Sequence, residues 1–453
     1  MKRYKPYSTY KSSGLEWLGE IPLHWKVIRL KHICWRAANY GANESSENYL
    51  EEGVRFLRTT DIDDFGNLLS DNAVFLEPSK VTDYKLADGD ILISRSGTIG
   101  RSFIYSKEKH GECAFAGYLV RFSLREGYLP RFIFYFTKST AFIDWLGISI
   151  IQSTISNVNG QKYANISLAI PPLREQQSIV SFLDCETTRI DTLITKKREL
   201  INLLRKKRVV LITQTITKGL DFTVPMKDSR IPWIGKIPQH WEVRRFKFMI
   251  KYLEQGWSPA CENRLTDEEE WGVLKVGSVN GGNFNELEHK ALPVNLEPKL
   301  QYEIKNGDIL VSRANTKELL GSVAKVHTIQ RKLLLCDKLY RLKTVDDVDP
   351  DFFVILLQSR CARYQFERDS SGASDSMQNI SQASMDNFTL PLPPLQEQKL
   401  IVDKFNKSFR QLHELKEKLL TQIKELQKYR QSLITAAVTG KIDVREEVNR
   451  KSA

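Results

Sequence analysis

The second half of this chain repeats the first, motif by motif. Three motifs return in the same order, each at a slightly larger offset than the one before it. The repeated motifs are Trp17–Val27 with Trp233–Val243, 216 positions apart, Gly89–Arg95 with Gly307–Arg313, 218 apart, and Pro171–Gln176 with Pro393–Gln398, 222 apart. A slowly growing offset is typical of small loop insertions in a duplicated globular unit. The sequence therefore predicts two similar bodies with approximate two-fold symmetry.

A long helix is predicted after each Pro-Pro-Leu motif, because proline fits the first turn of a helix and apolar residues follow at steps of three and four. The first series is Ile179, Leu183, Glu186, Ile190, Leu193, Lys197, Leu200, Leu204, Lys207 and Leu211. The same series, 222 positions later, is Ile401, Phe405, Ser408, Leu412, Leu415, Leu419, Gln422, Leu426, Tyr429 and Leu433. Heptad spacing of this length predicts that the two helices pair with each other. The alternative is that each helix packs only against its own globular unit.

The positive charge of the chain is concentrated on these helices. The formal net charge is +12, and residues 174–218 and 396–441 each hold ten Lys or Arg against five Asp or Glu. A polyanion is a natural partner for such a distribution. A solvated helix face that binds nothing is the alternative, and the sequence leaves open whether the basic helices face a polyanion or acidic partner proteins.

The sequence carries no motif for catalysis, cofactor binding or membrane insertion. It lacks a phosphate-binding P-loop and a Gly-x-Gly-x-x-Gly loop and has no apolar run of the ~18 residues that a membrane span requires. The six cysteines are scattered and the seven histidines have no metal-ligand spacing. His24 and His240, each beside a tryptophan, are interpreted as structural. We expect a cytoplasmic, non-catalytic protein without a membrane partner.

The repeated motifs resemble those of the specificity subunit of type I restriction-modification systems. Any one motif is weak, but four in order and twice over are specific, and the resemblance spans residues 13–443. The segments that carry it are Ile21–Trp25, Gly89–Leu92, Pro171–Gln176 and Leu211–Asp221, with Pro393–Gln398 and Leu433–Asp443 in the second copy. The chain also lacks the Asn/Asp-Pro-Pro-aromatic motif of the amino-methyltransferases with which this family works.

This resemblance implies a DNA-reading subunit whose two globular units each recognise one half of a split sequence. The helices would be spacers that pair antiparallel and set the distance between the half-sites. The implied partners are double-stranded DNA, two methyltransferase subunits and, through them, restriction subunits. S-adenosylmethionine, ATP and Mg²⁺ would bind those partners, and no cofactor is expected on this chain.

The predicted fold class is α+β: two mixed α/β target recognition domains, joined by two long helices that form an antiparallel coiled coil with pseudo-two-fold symmetry. The predicted boundaries are 1–170 for the first recognition domain, 171–220 for the first spacer helix, 221–391 for the second domain, 392–443 for the second helix and 444–453 for a tail. A solitary bipartite DNA-binding protein and a coiled-coil scaffold that binds proteins are the alternatives.

Candidate DNA-binding side chains lie mainly in the loops after the repeated Gly-Asp-Ile-Leu strand, where the two copies differ. Bases are read mostly by Arg, Lys, Asn, Gln, Ser and Thr. The candidates in these loops are Arg95, Ser96, Thr98 and Arg101 in the first copy and Arg313, Asn315, Thr316 and Lys317 in the second. A second polar cluster comprises 152–154 (with Gln152) and Asn157, which parallel 374–376 and Asn379. A third comprises Arg58, Thr59 and Thr60, with Lys275 and Ser278.

Structural roles are the alternative for these residues. An internal ion pair that braces the strand is the alternative for Arg95 and Arg313, and a flexible loop is the alternative for the polar clusters. Both copies also keep an acidic residue and a glutamine at the start of the long helix, and we expect these residues to bind the methyltransferase, with helix capping as the alternative. They are Glu175, Gln176, Glu397 and Gln398.

Overall fold

The structure, a computed structural model, describes residues 4–151, 157–221, 223–374 and 377–449. The chain divides into two compact units, one of residues 1–197 with 420–453 and one of residues 198–419. Each unit therefore contains one globular part, the start of one long helix and the end of the other. The predicted boundaries follow chain position instead, and they treat the helices as separate domains.

The first unit is built on a four-stranded antiparallel sheet whose strands lie in the order Cys34–Tyr40, Leu119–Leu124, Ile91–Ser94, Ser102–Ile104. All four residues of the strand Ile91–Ser94 are buried, as the run of three apolar residues at its start predicts. The other strands are Tyr10–Ser12 with Glu20–Pro22, Lys26–Arg29 with Ser167–Ile170, and Val54–Leu57 with Phe75–Leu76 and Cys113–Phe115. The helices of the globular part are Leu30–Ile33, Lys107–His110, Pro130–Thr137, Thr140–Ile151 and Gly160–Ala164.

The second unit repeats this topology strand for strand. Its four-stranded sheet has the order Ile250–Gln255, Leu339–Thr344, Ile309–Ser312, Val323–Lys325. The other equivalent strands are Met226–Asp228 with Lys236–Pro238, Glu242–Arg245 with Thr389–Leu392, and Trp271–Leu274 with His289–Ala291 and Lys332–Leu334. One further sheet, Ala314–Asn315, Met377–Asn379 and Ser371–Ser374, has no counterpart among the described strands of the first unit. The helices of the second globular part are Pro350–Leu357, Arg360–Asp369 and Gln382–Asp386.

Two predicted helices are interrupted in the structure. Sequence periodicity predicts one helix from Pro130 to about Leu146 and one from Pro350 to about Phe366. In each, the first helix ends at Thr137 or Leu357, and a new one begins after a gap of two residues, at Thr140 or Arg360. The second break is explained by Ser359, whose hydroxyl accepts a bond from Ala362 N and caps the new helix.

The two long helices lie within the predicted spans 171–220 and 392–443. They span Leu173–Lys218 and Leu395–Val438, so each starts directly after Pro-Pro. Gly219 and Gly440, which follow the helix ends, both have a φ of +71°. That left-handed conformation is the usual way to end a helix and favours glycine. A short helix, Arg445–Asn449, follows the second of them.

The buried face of each long helix follows an 11-residue repeat, not the predicted heptads. Eleven residues fill three turns at about 3.67 residues per turn. This value is close to the 3.6 of a straight helix, so the buried face needs no left-handed supercoil. Apolar residues on the covered side recur at Ile179, Ile190, Ile201 and Ile212, and 222 positions later at Ile401, Leu412, Ile423 and Ile434.

The heptad assignment is therefore wrong in the middle of each helix. Leu193, Leu200 and Leu415 are exposed by 40%, 49% and 46%, although the heptads place them in the seam. Lys207 and Gln422 are exposed as well. The residues on the covered face there include Ile194, Ile201 and Ile423, each one position further along. The two helices nevertheless share one register, because their covered residues lie 222 positions apart, as at Ile201 and Ile423.

Within each unit the two helix portions run antiparallel. In the first unit, Asp191 pairs with Arg430 at 3.0 Å, and Lys197 Nζ donates to Gln422 Oε1 at 2.6 Å. In the second, the Arg208 guanidinium lies 4.2 Å from the centre of the Phe409 ring, and a Cβ on Gly219 would lie 3.0 Å from Glu397 Oε1. In both units, residues later in the first helix thus contact residues earlier in the second, which is the pattern of antiparallel helices. A continuous coiled coil along the full length of both helices stays a prediction.

The 11-residue repeat can be tested on two neighbouring residues of the first unit. Ile194→Ala is expected to lower the free energy of unfolding by about 2–4 kcal/mol, because it removes a buried side chain. Leu193→Ala deletes the same number of carbon atoms from an exposed position and is expected to cost about 0.5 kcal/mol. Urea unfolding followed by circular dichroism measures both. A larger loss of unfolding free energy for Leu193→Ala than for Ile194→Ala would favour the heptad assignment.

Candidate nucleic-acid interface

In the first unit, residues 95–101 form the loop that follows the buried strand Ile91–Ser94, here called the first reading loop. The Arg95 guanidinium lies over the Tyr40 ring, 4.8 Å from its centre. Arg95 N donates to Tyr118 O at 2.9 Å, and Arg95 O accepts from Val158 N at 3.1 Å. The backbone beside Asn157, part of the second predicted cluster, is therefore held against this loop.

A cavity of about 560 Å³ opens beside the first reading loop. Its lining includes Ser96 together with Arg58, Thr59 and Thr60. Two clusters that are far apart in the sequence thus meet at one concave surface. Tyr118, which is 61% exposed, lines it as well. An exposed aromatic ring at the edge of a polar cavity suits stacking against a nucleobase.

Two of the predicted arginines of the first unit are engaged within the protein. Arg58 pairs with Asp61 at 2.8 Å, and hydrogen bonds to this carboxylate raise the pKa of Arg58. Arg101 pairs with Asp64 at 2.7 Å. Each guanidinium also donates to a backbone carbonyl. These contacts fix both side chains at the surface of the unit, and a direct role in base reading would require them to exchange partners. Thr60 and Thr98 are exposed.

The second reading loop, residues 313–317, follows the strand Ile309–Ser312. Arg313 lies over the Tyr340 ring at 5.6 Å and donates to Asp337 O at 3.4 Å. Among the residues that the structure describes, neither Arg95 nor Arg313 forms an ion pair. The predicted alternative of an ion pair is therefore wrong for both, and each arginine is supported by a tyrosine ring instead.

The second reading loop and the second polar cluster are brought together in the extra sheet of this unit. Strand Ala314–Asn315 pairs with Met377–Asn379, so that Ala314 lies opposite Asn379 and Asn315 opposite Gln378. The Asn315 amide donates to Asn280 Oδ1 at 3.3 Å. Thr316 is half-buried, whereas Lys317 is exposed. The polar residues of this loop therefore share one surface.

One predicted DNA-binding residue is placed in the interior. Ser278 is fully buried in the turn 276–282, and the nearby Lys275 is half-buried. A side chain with no exposed surface does not reach a base edge, so the prediction for Ser278 is wrong. The physical reason is that the turn 276–282 packs against the strands Ile309–Ser312 and Val323–Lys325. Of the second cluster, Gln152, with 153 and 154, lies outside the described residues, as do 375 and 376.

The residues predicted to bind a methyltransferase are held inside the fold. Glu175 is buried and accepts three hydrogen bonds, from Tyr7 Oη at 2.5 Å, His24 Nε2 at 2.8 Å and Trp25 Nε1 at 2.9 Å. Glu397 repeats two of them, from His240 Nε2 at 2.8 Å and Trp241 Nε1 at 3.0 Å. The structural interpretation of the two His-Trp pairs is confirmed, because each pair binds the carboxylate at the start of a long helix.

The two glutamines close the same joint by bonding to backbone. Gln176 accepts from Leu129 N at 2.9 Å and donates to Pro171 O at 3.0 Å. Gln398 accepts from Asp349 N at 2.8 Å and donates to Pro393 O at 2.9 Å. Both are buried. The docking prediction for Glu175, Gln176 and Gln398 is therefore wrong, and the partly exposed Glu397 is engaged in the same way. These side chains join the helix to its globular part.

The described residues provide neither a candidate metal site nor a candidate membrane-spanning helix. No group of three or more His, Cys, Asp or Glu there is arranged to hold a metal ion. None of the described helices combines the length and apolar character that crossing a membrane demands. Tyr118 was not predicted as a binding residue, although its sequence signal is an aromatic residue between a glycine and a buried strand. Arg205, Arg208 and Arg363 of the second unit were not predicted either.

The chain is similar to known specificity subunits along most of its length. Residues 22–203 and 238–425 each match the type I restriction modification DNA specificity domain. The type I restriction enzyme EcoEI specificity subunit of Escherichia coli is 31% identical over 223 residues, which are 49% of this chain and 37% of that protein. The EcoKI specificity subunit of Escherichia coli strain K12 is 22% identical over 436 residues, which cover 94% of this chain and 90% of that one.

A solved structure supports the fold. A chain from work on complex assembly and conformational transition of the type I R-M system is 17% identical, covers 93% of this chain and 99% of its own length, and has a TM-score of 0.64. Two matches to one domain thus account for most of the sequence, in the two halves where the same strand order is found twice. The chain belongs to the type I restriction-modification DNA specificity family.

Proposed function

We propose that this chain is the DNA specificity subunit of a type I restriction-modification complex and that each unit reads one half of a bipartite DNA target. The observation that carries the proposal is that the two units share the same sheet but differ in the loop that follows its buried strand. Ile91–Ser94 and Ile309–Ser312 hold the same place in the same four-stranded order, and each is followed by an arginine over a tyrosine ring. A common frame that presents different side chains suits two different half-sites.

The loops differ in chemistry as well as in sequence. The first reading loop borders a cavity whose lining includes two serines, two threonines and the exposed Tyr118. The second forms part of a small sheet that carries two asparagines and an adjacent exposed lysine. Asparagine pairs well with adenine, lysine with guanine, and hydroxyl groups with either. Two such surfaces are expected to prefer different bases.

Family membership supports a proposal about the wider assembly. We infer that the long helices set the spacing between the half-sites and that the chain binds two methyltransferase subunits and, through them, restriction subunits. In this arrangement the chain recognises DNA in the cytoplasm without catalysing a step, and S-adenosylmethionine, ATP and Mg²⁺ act on the partner subunits. The basic charge of the helices supports a polyanionic or acidic neighbour.

Selection from a random duplex library tests this proposal. The purified chain, alone and with its methyltransferase, would be offered duplexes of random sequence at 150 mM salt. Enriched sequences are expected to share two short conserved blocks at a fixed separation of about one helical turn or more. One contiguous block, or no enrichment at all, would refute bipartite reading. Adenine methylation at the selected sequence in the presence of the methyltransferase separates this function from that of a solitary DNA-binding protein.

A scaffold that binds proteins through its globular units is the competing function. Its affinity for DNA would show no sequence preference. The salt dependence of binding adds a second criterion, because each neutralised phosphate contributes about 0.9 to the slope of log K against log salt. A flat slope would favour the scaffold.

A further inference from the structure

A small pocket of about 230 Å³ in the second unit is lined by three arginines. Arg205 and Arg208 come from the first long helix, and Arg363 comes from the helix Arg360–Asp369. We call it the arginine pocket. The backbone of Gly281 and Gly282 forms part of its wall. Positive side chains beside exposed glycine backbone are a common arrangement for binding a phosphate group.

Arg208 has no acidic partner among the described residues. It donates to Gln358 Oε1 at 2.7 Å and to Gly281 O at 3.2 Å, and its guanidinium lies over the Phe409 ring. Its Nε is buried and has no hydrogen-bond partner in the described part of the chain. Burial lowers the pKa of Arg208 to about 10. A partly buried cation without a counter-charge is costly, and a bound anion would offset that cost.

The equivalent position in the first unit shows how such an arginine is neutralised inside the protein. Arg430 lies 222 positions after Arg208 and pairs with Asp191 at 3.0 Å. The residue 222 positions after Asp191 is His413, which is exposed. The second unit thus keeps the arginine and lacks the aspartate. The duplication itself therefore supplies an internal control for the arginine pocket.

The other two arginines add to the positive charge. Arg205 is exposed, and no ion pair or hydrogen bond holds its side chain in the described residues. Arg363 donates to the backbone oxygens of Leu320 and Lys317 and lies 3.7 Å from Glu367, which is largely exposed. Glu318 is the one carboxylate that lines the pocket, so the lining side chains carry a net charge of +2.

The arginine pocket is continuous with the second reading loop. Arg363 Nη2 donates to Lys317 O at 3.1 Å, and Glu318 directly follows that loop. On the other side, Asn280, which precedes the two glycines of the pocket wall, accepts a bond from Asn315. A phosphate held in the pocket would therefore lie next to the residues that we expect to read bases.

We propose that the arginine pocket binds one phosphate of the DNA backbone beside the half-site read by the second unit. This inference rests on the proposed function and adds an anchoring site that the first unit lacks, because Asp191 already neutralises Arg430 there. Phosphate contacts set the position of a protein on DNA without specifying sequence. The pocket is therefore expected to contribute affinity to every duplex, whatever its bases.

The test uses three variants of the full chain. Arg205→Gln removes an exposed, unpaired charge, so folding is expected to be unaffected. His413→Asp places a carboxylate at the position equivalent to Asp191, one helical turn from Phe409, and is expected to neutralise Arg208 without deleting it. Arg430→Gln is the matched control in the first unit. Fluorescence polarisation would measure the affinity of each for the selected duplex and for a random duplex of equal length, between 50 and 300 mM KCl.

Arg205→Gln and His413→Asp are expected to weaken binding of both duplexes roughly tenfold at low salt and to reduce the salt slope by about 1, while Arg430→Gln keeps the wild-type slope. Unchanged slopes for both pocket variants would overturn the inference. A wild-type chain that prefers the selected duplex would in that case leave the proposed function intact. Inorganic phosphate is the second probe. If it raised the melting temperature of the wild type but not of the pocket variants, while the salt slopes of DNA binding were the same for all, the pocket would bind free anions only. That result would refute the DNA contact.

Discussion

Replacing Glu175 by alanine is expected to destabilise the first unit by about 3–5 kcal/mol, because two buried donors lose their acceptor at once. Trp25 is fully buried and Tyr7 nearly so. Burial and the bond to Glu175 raise the pKa of Tyr7, so its hydroxyl stays protonated and needs an acceptor. Alanine would also leave a cavity at the joint between the long helix and the globular part.

The second unit provides the matched control for this prediction. Glu397 has 23% of its side chain exposed and accepts from one buried donor, Trp241. Glu397→Ala is therefore expected to cost about 1–2 kcal/mol, since water can replace part of the lost bond. Glu175→Gln keeps an acceptor oxygen, so its loss of unfolding free energy is expected to lie between those of Glu175→Ala and Glu397→Ala. Urea unfolding followed by tryptophan fluorescence measures all three, and equal losses for Glu175→Ala and Glu397→Ala would show that burial does not decide the effect.

Replacing Asn315 and Lys317 together by alanine is expected to weaken binding about 10- to 100-fold at one half-site and to leave the other unaffected. Each well-placed base contact contributes roughly 1–3 kcal/mol of discrimination, and a tenfold change in affinity corresponds to about 1.4 kcal/mol. The backbone oxygen of Lys317 that accepts from Arg363 is retained in the variant. The measurement is the affinity for the selected duplex and for duplexes with either half-site scrambled.

The reciprocal variant makes this prediction specific. Ser96→Ala with Thr98→Ala alters the first reading loop and is expected to affect the half-site that the Asn315 and Lys317 variant spares. Melting temperatures would show whether loss of the Asn315 bond to Asn280 disturbs the fold. Equal loss at both half-sites for either double variant would contradict a separate reading surface in each unit.

The strands that frame both loops were predictable because their signal is local. The strands Ile91–Ser94 and Ile309–Ser312 lie within the repeated motifs Gly89–Arg95 and Gly307–Arg313. In both copies three apolar residues stand between Gly-Asp and a polar loop, and such a short apolar run between turn residues is typical of a buried strand. The two long helices were predictable for a similar reason, since Pro-Pro and Gly mark their ends.

The middle of the long helices was mispredicted because heptad and 11-residue patterns agree over a short stretch and separate slowly. Both place Ile179, Leu183 and Ile190 on the buried side. They separate by one residue at Ile194, where leucine at 193 satisfies the heptad equally well. Hydropathy does not distinguish two adjacent apolar residues, so the packing partners decide which of them is covered.

The sequence by itself determined the duplication, the shared register of the helices, the repeated strands and the family. Only the tertiary structure decided which polar residues face inward. Glu175 meets the Trp25 ring nitrogen across 150 positions of chain, and Ser278 is enclosed by strands that follow it in sequence. The sequence does not distinguish a polar side chain that is free to bind a ligand from one that is bonded within the protein. The hydrogen-bond partners of such a side chain come from distant segments, which only the fold brings together.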